Sequence, residues 1–185
     1  MVEQLCEYAL VTSDGKRHES LLTTDAQPRD LHVAALLLGV KPSANLGGTN
    51  LLAGAEQARV EIEVTWPIHG GVRRVPLHQL VAQLQNPEPA AAHPELQALD
   101  AGPWLYSGSE VKQGRFEAQA EGSFISLITD PAALINNPRP SRLNDKLHVP
   151  NKPLLPPLNT SVQVVIRLVG PKAGEVAVPE AGKQR

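Results

Sequence analysis

Alternation of apolar and polar side chains is the clearest signal along the chain. Between residues 58 and 66, Val60, Ile62 and Val64 fall on one side and Glu61, Glu63 and Thr65 on the other, which is the period of a half-buried strand. His69-Gly70-Gly71 turns the chain, and Val72 to Pro76 returns as a second strand. Val162 to Val169 alternates in the same way and is predicted as the last strand. Near the start, residues 4–13 read as a strand running into Ser13-Asp14-Gly15-Lys16. Asp-Gly is a hairpin signal, so Arg17 to Leu22 is predicted as the returning arm. Trp104-Leu105-Tyr106 reads as a short strand, and residues 116–120 and 122–129 as a hairpin turning near Glu121-Gly122.

The helical period is clear in one place. Leu31, Ala34, Ala35 and Leu38 recur at i, i+3, i+4 and i+7, and Val33 and Leu37 widen that face. Asp25 lies ahead of Pro28, which suits a first turn, and Gly39 follows the last apolar residue as a stop. A well-buried helix over about 28–39 follows from this. Shorter helical pieces are predicted at Pro76 to Leu84 and at Asp130 to Ile135, the latter with Asp130 as N-cap and Pro131 at the first position. Residues 43–57, 85–103 and 136–160 read as loops, the last with six prolines. A long irregular segment of that kind is usually functional or wraps the core. The fold class is therefore α+β: a mainly antiparallel β-sheet with one substantial helix (about 28–39) packed on it and long Pro-rich loops. A single domain over 1–169 followed by a flexible tail at 170–185 completes the expected organisation.

Composition acts mainly by exclusion. Lys and Arg number 17 against 19 Asp and Glu, for a net charge of -2. That leaves no clustered positive charge for nucleic acid, and six aromatic residues make a poor base-stacking platform. No nucleic-acid partner is expected. Cys6 is the sole cysteine, so an iron–sulfur cluster is excluded within one chain, as is an intramolecular disulfide. Cys6 itself reads as a small residue in the first strand. MVEQLCEYAL has neither the basic start nor the apolar core of a signal peptide. The longest apolar stretch, Val33 to Val40, falls well short of the about 20 residues a spanning helix needs. Neither a signal peptide nor a transmembrane segment is expected in this chain.

Three constellations invite chemistry. His18-Glu19-Ser20 holds the residue types of a hydrolase, but neighbours on a strand alternate faces; His18 and Ser20 would share one, with a third member such as Asp130 needed from elsewhere. Ser109 is the other candidate hydroxyl, although Ser107-Gly108-Ser109 is not a nucleophile elbow. Second, His18 and His32 flank the start of the helix, and with Glu19 they would suit zinc or a similar divalent ion. Third, Asp130, Asn136, Asn137, Asn144, Asp145 and Asn151 form an oxygen-rich run that could ligate calcium, though Asn and Asp are also the usual turn residues. Gly47-Gly48-Thr49 lacks the pattern of a P-loop. Trp66, Trp104 and Tyr106 could line a groove for a peptide or glycan, or pack in the core.

Several stretches, taken in order, carry a resemblance. They are GKRHESLL at 15–22, LHVAALLLGVKP at 31–42, PWLYSGS at 103–109 and GRF at 114–116. DPAALINNP at 130–138, VPN at 149–151 and LPPLNTSVQVVI at 155–166 complete the set. Together they resemble the YdjY-like domain, a bacterial family of uncharacterised and commonly exported proteins, over roughly residues 5–169. The resemblance implies a periplasmic or exported setting and no established activity. Some members carry a ferredoxin-like label, which one cysteine cannot support. This chain also departs from the family in having Asn144-Asp145-Lys146-Leu147-His148 where an aromatic often precedes the Pro-Asn.

The leading expectation is a non-enzymatic binding or protein-interaction module of the bacterial cell envelope, with an unknown protein or envelope component as partner and no resident cofactor. Its candidate binding residues are His18, Glu19, Ser20, Trp104, Tyr106, Asp130, Asn136, Asp145 and Asn151. The alternative is a metal-binding protein or metal-dependent enzyme using His18, Glu19 and His32, with zinc or calcium as the ion. A serine hydrolase using Ser20 or Ser109 is the weaker alternative.

Overall fold

A computed structural model describes residues 4–85 and 95–169 of the 185-residue chain. In chain order its first elements are β1 (Tyr8–Thr12), β2 (Ser20–Thr24), α1 (Pro28–Leu37), β3 (Arg59–Ile68), β4 (Gly71–Pro76), α2 (Leu77–Leu80), β5 (Val81–Leu84) and β6 (Leu96–Ala98). There follow β7 (Trp104–Tyr106), β8 (Val111–Lys112), β9 (Arg115–Phe116), α3 (Glu117–Glu121), β10 (Ser123–Ser126), β11 (Ile135–Asn136), β12 (His148–Pro150) and β13 (Gln163–Leu168). The expected tail at 170–185 lies outside the described residues, as does part of the Pro-rich excursion at 85–103.

The alternating segment at β3 is the spine of the main sheet. Its inward residues Val60, Ile62 and Val64 are buried, as the period requires. One edge of β3 pairs with β13, from Val60↔Leu168 to Thr65↔Gln163. The other edge forks: Arg59 and Val60 pair with β7, and Glu63 to Ile68 pair with β4 in the hairpin turned at His69-Gly70. The sheet then continues through β7, β11, β10 and β1 to β2. Most pairs are antiparallel; β1–β2 and β10–β11 are parallel. A second sheet of order β12-β5-β6 and the β8–β9 ribbon complete the strands. Strands β1, β7 and β10 are buried along their whole length, the mark of strands covered on both faces. The α+β class thus holds, with one long helix beside a mainly antiparallel, curled sheet.

Several expectations are corrected. The Asp14-Gly15 turn does not open a hairpin. A turn of 3-10 helix at Arg17–Glu19 carries the chain back to the start of β1, and β2 pairs with it in parallel, Tyr8↔Ser20 and Leu10↔Leu22. That register sets Leu22 beside Leu10 on the apolar side, which local turn chemistry does not reveal. The first strand starts at Tyr8, so Cys6 lies just ahead of it, buried, with its N–H donating to the His148 carbonyl at 2.9 Å. Residues 117–121 are helical, because Gly122 sits at φ +70 and closes the turn with its N–H on the Ala118 carbonyl. The expected helix at 76–84 stops at Leu80 and continues as β5. Asp130 to Leu134 is a turn leading into β11.

The largest correction concerns α1. Gly39, at φ +90, follows its last turn as expected. Its inward stripe, however, is Pro28, Leu31, His32 and Ala35, the first and last buried and the middle two half-buried, while Leu37 and Leu38 are 84 % and 72 % exposed. The spacing is the predicted i, i+3, i+4, i+7, begun three residues earlier. Hydrophobicity misses this face because one of its members is a histidine.

Candidate functional site

The sequence-derived residues do not converge on one centre. His18 is 81 % exposed at its side chain, and its Nε2 lies 3.7 Å from the Glu19 carboxylate. Ser20 donates its hydroxyl to the Leu22 carbonyl at 2.9 Å, and Ser109 donates to the Ala132 carbonyl at 2.6 Å while accepting from the Ala118 N–H. Neither hydroxyl faces an imidazole. His32 is on the other side of this picture: its Nδ1 shares a hydrogen bond of 2.9 Å with the Tyr106 hydroxyl, and its ring stacks on Tyr106 and tilts against Phe116. Burial lowers its pKa, so the ring is neutral at neutral pH. Among the described residues no group of three or more His, Cys, Asp or Glu side chains is placed to hold a metal ion.

The oxygen-rich run is occupied by its own chain. Asp130 Oδ1 accepts the Ala132 N–H and Oδ2 accepts the Tyr8 hydroxyl, both at 2.9 Å. The buried Asn136 accepts the Asp130 N–H at 2.8 Å and donates to the Asp130 carbonyl and to Ser107 Oγ. Asn137 donates to the Leu127 carbonyl and accepts from Arg139, Asn144 accepts the Lys146 N–H, and Asn151 donates to the Gln79 carbonyl. The contacts within 130–136, 137–139 and 144–146 are those of turns, whereas those to Tyr8, Ser107 and Gln79 tie the segment to distant parts of the chain.

Some acidic candidates do share a neighbourhood. Glu7 is raised above the usual carboxylate range by burial and then by Glu19, Asp145 and Asp130, with Lys16 opposing. Lys16 donates to the Tyr8 hydroxyl at 2.7 Å and pairs with Glu121 at 2.9 Å. Burial works against its charge, but these two partners outweigh it and raise its pKa. Sequence reading passed over Tyr8, Lys16 and Glu121. The network ties the 13–16 turn to the end of α3 and to the Asp130 turn.

Trp104 and Tyr106 are core residues. Both are buried on β7, and the Arg139 guanidinium lies 4.9 Å from the Trp104 ring centroid. Trp104 also lines a pocket of about 270 Å³ at the fork of β3, with Glu61, Glu63, His78 and Arg167 around it. Cys6 is inert by its surroundings, since burial pushes its thiol up to about 11.

The larger opening is elsewhere, and it is apolar. A cleft of about 460 Å³ lies where the two ends of the curled sheet face each other. Leu10 of β1 and Phe124 of β10 form its floor. Leu22, Thr23 and Thr24 of β2 stand on one side, and Val162, Val164 and Ile166 of the β13 segment on the other. Leu31 and Ala34 of α1 line it from above, with Asp30 as the sole charged lining residue among those described. Alternation along β13 was readable and did mark Val162, Val164 and Ile166 as one face. That the same face meets Leu22 across an opening depends on the parallel β1–β2 pair, which has no local signal.

A family model described as the YdjY domain matches residues 1–167. No curated protein and no solved structure matches the chain.

Proposed function

Since the chain belongs to the YdjY domain family, whose match spans every wall of the cleft, we propose that the protein is a non-enzymatic binding module and that the cleft between β2 and β13 is its ligand site. The observation that carries this reading is the cleft itself. Ligand pockets are concave, mostly apolar and about 300–1,000 Å³ in volume, and this one is about 460 Å³ with a single carboxylate at its mouth. The Ser20 and Ser109 hydroxyls bond main-chain carbonyls, His32 bonds Tyr106, and His18 stands exposed with neither serine before it, which supports binding over catalysis. The cell envelope, the setting implied by the family resemblance, belongs to the same reading.

The test uses an apolar fluorescent probe, anilinonaphthalene sulfonate, titrated into the folded protein. Saturable binding is expected. It is expected to vanish in Val164→Lys, which places a charge in the cleft, and to persist in Leu37→Lys, which alters the exposed face of α1. Binding that survives Val164→Lys in a folded variant, or that depends on Leu37, overturns the assignment.

A further inference from the structure

The cleft has an unusual boundary: both of its long sides are sheet edges. Among the described residues β2 pairs only with β1 and β13 only with β3. Each edge therefore presents main-chain N–H and C=O groups that no neighbouring strand satisfies, a template for another strand. Following the pairs around the sheet sets the direction of each edge. β13 runs opposite to β3, β3 opposite to β7, and β7 opposite to β11. β11 and β10 run together, β1 opposes β10, and β2 follows β1. The two edges thus point the same way, and one strand of the reverse direction is antiparallel to both.

Resting on the reading of the cleft as the ligand site, we propose that its occupant is an extended segment of a partner protein that adds as a strand between β2 and β13, antiparallel to each. Length follows from the edges, which are five and six residues long. Chemistry follows from the pleat: alternate side chains of an added strand point into the cleft, where Leu10, Leu22, Phe124, Val164 and Ile166 require them to be apolar. Charge sets the polarity of the end. The chain passes from the C-terminal end of β2 through Asp25 into α1, whose Asp30 lines the cleft, 74 % exposed at its side chain and with Arg29 at 4.0 Å as a solvent-exposed neighbour. An antiparallel segment starts at that end, so its first residues carry the Lys or Arg that complements Asp30. Main-chain pairing gives such a complex its affinity and the alternate pockets its specificity.

The probe is a synthetic peptide with Lys first and Val and Thr alternating over the next six positions. Its twin carries N-methyl groups on the Thr residues, which removes the hydrogen bonds to one of the two edges and leaves the Val side chains. The parent is expected to bind and to slow amide exchange in both β2 and β13. The twin is expected to bind at least about tenfold more weakly, since several hydrogen bonds are lost. Asp30→Asn is expected to weaken the parent several-fold and to leave a peptide with Thr in place of Lys unchanged. Equal binding of parent and twin, both abolished by Val164→Lys, overturns strand addition while the cleft stands as the ligand site. Fluorescent-probe binding without peptide binding has the same meaning. Loss of both overturns the cleft as well. Concentration-dependent dimerisation that protects the two edges without peptide assigns the cleft to a second copy and overturns the partner segment.

Discussion

At the scale of single residues, the polar interior decides how the protein responds to acid. His148 is fully buried, with Nε2 facing Ser141 Oγ at 3.1 Å, and burial lowers its pKa from 6.5 to about 4. His32 and His78 shift in the same direction, chiefly through burial. For each ring the folded state refuses a proton that the unfolded chain accepts. Stability is therefore intact above about pH 6.5 and falls as the pH drops toward 4. For His148 alone the full loss is about 3 kcal/mol. Glu7 opposes this trend, because its raised pKa lets the folded state take up a proton first. A lower urea midpoint at pH 5 than at pH 7 is expected, with the slope flattened in His148→Gln. A midpoint independent of pH would show that the buried ring carries no such penalty. The same interior accounts for the candidates drawn from sequence. Asn136 and Asp130 read as cation ligands because oxygen-rich residues cluster at 130–151, but the buried Asn136 amide and the Asp130 carboxylate bond their own turn and, beyond it, Ser107 and Tyr8.

At the scale of elements, the tightest joint is the end of α3. Gly122 adopts φ +70, and a Cβ built there would lie 2.0 Å from Thr12 Oγ1 and 3.4 Å from Gly15 Cα. Gly122→Ala meets both a left-handed backbone and a clash with β1, so a loss of about 3 kcal/mol or more is expected. In a Thr12→Ala background the hydroxyl is gone while the Cβ at 3.1 Å remains. The same substitution is then expected to cost less, though still more than the left-handed backbone alone, which is about 1–2 kcal/mol. Equal costs in the two backgrounds, read from denaturant melts, would count against the contact. This joint also shows where sequence reading stops. Residues 117–121 carry no strong helical period, and the Glu121-Gly122 pair resembles a hairpin turn until the left-handed glycine is seen capping a helix. Strands β3, β4, β7 and β13 were legible because their side chains alternate or their turns are marked by glycine. The β1–β2 pair was misread because its parallel register is set by Leu22 packing beside Leu10 on the adjacent strand, a tertiary cause. On α1 the spacing was right and the stripe begins three residues earlier than expected, since the half-buried His32 holds its place through Tyr106 and not through hydrophobicity.

At the scale of the whole molecule, the chain closes its core while leaving one seam of its sheet open. The core runs from Cys6 to Ile135 in a single buried cluster, with Leu22, Val164 and Ile166 packed only partly against it. Among the described residues no group of three or more His, Cys, Asp or Glu side chains is placed to hold an ion. A bound metal would stabilise the folded state by mass action, so the melting temperature is expected to stay within about 1 °C on addition of EDTA. A fall of several degrees, together with one ion per chain by elemental analysis, would instead restore the set His18, Glu19 and His32 or the oxygen-rich run. The order of strands has a further consequence, in time. Tyr8 finds its partner in Ser126, and Val60 finds one of its own in Leu168. At synthesis rates of roughly 5–20 residues per second, the first strand gains β2 almost at once but waits on the order of ten seconds for β10, its other neighbour, to emerge. For that interval β1 has β2 on one edge and no strand on the other, and its apolar side chains wait for Phe124 and Ile125 of β10 to cover them.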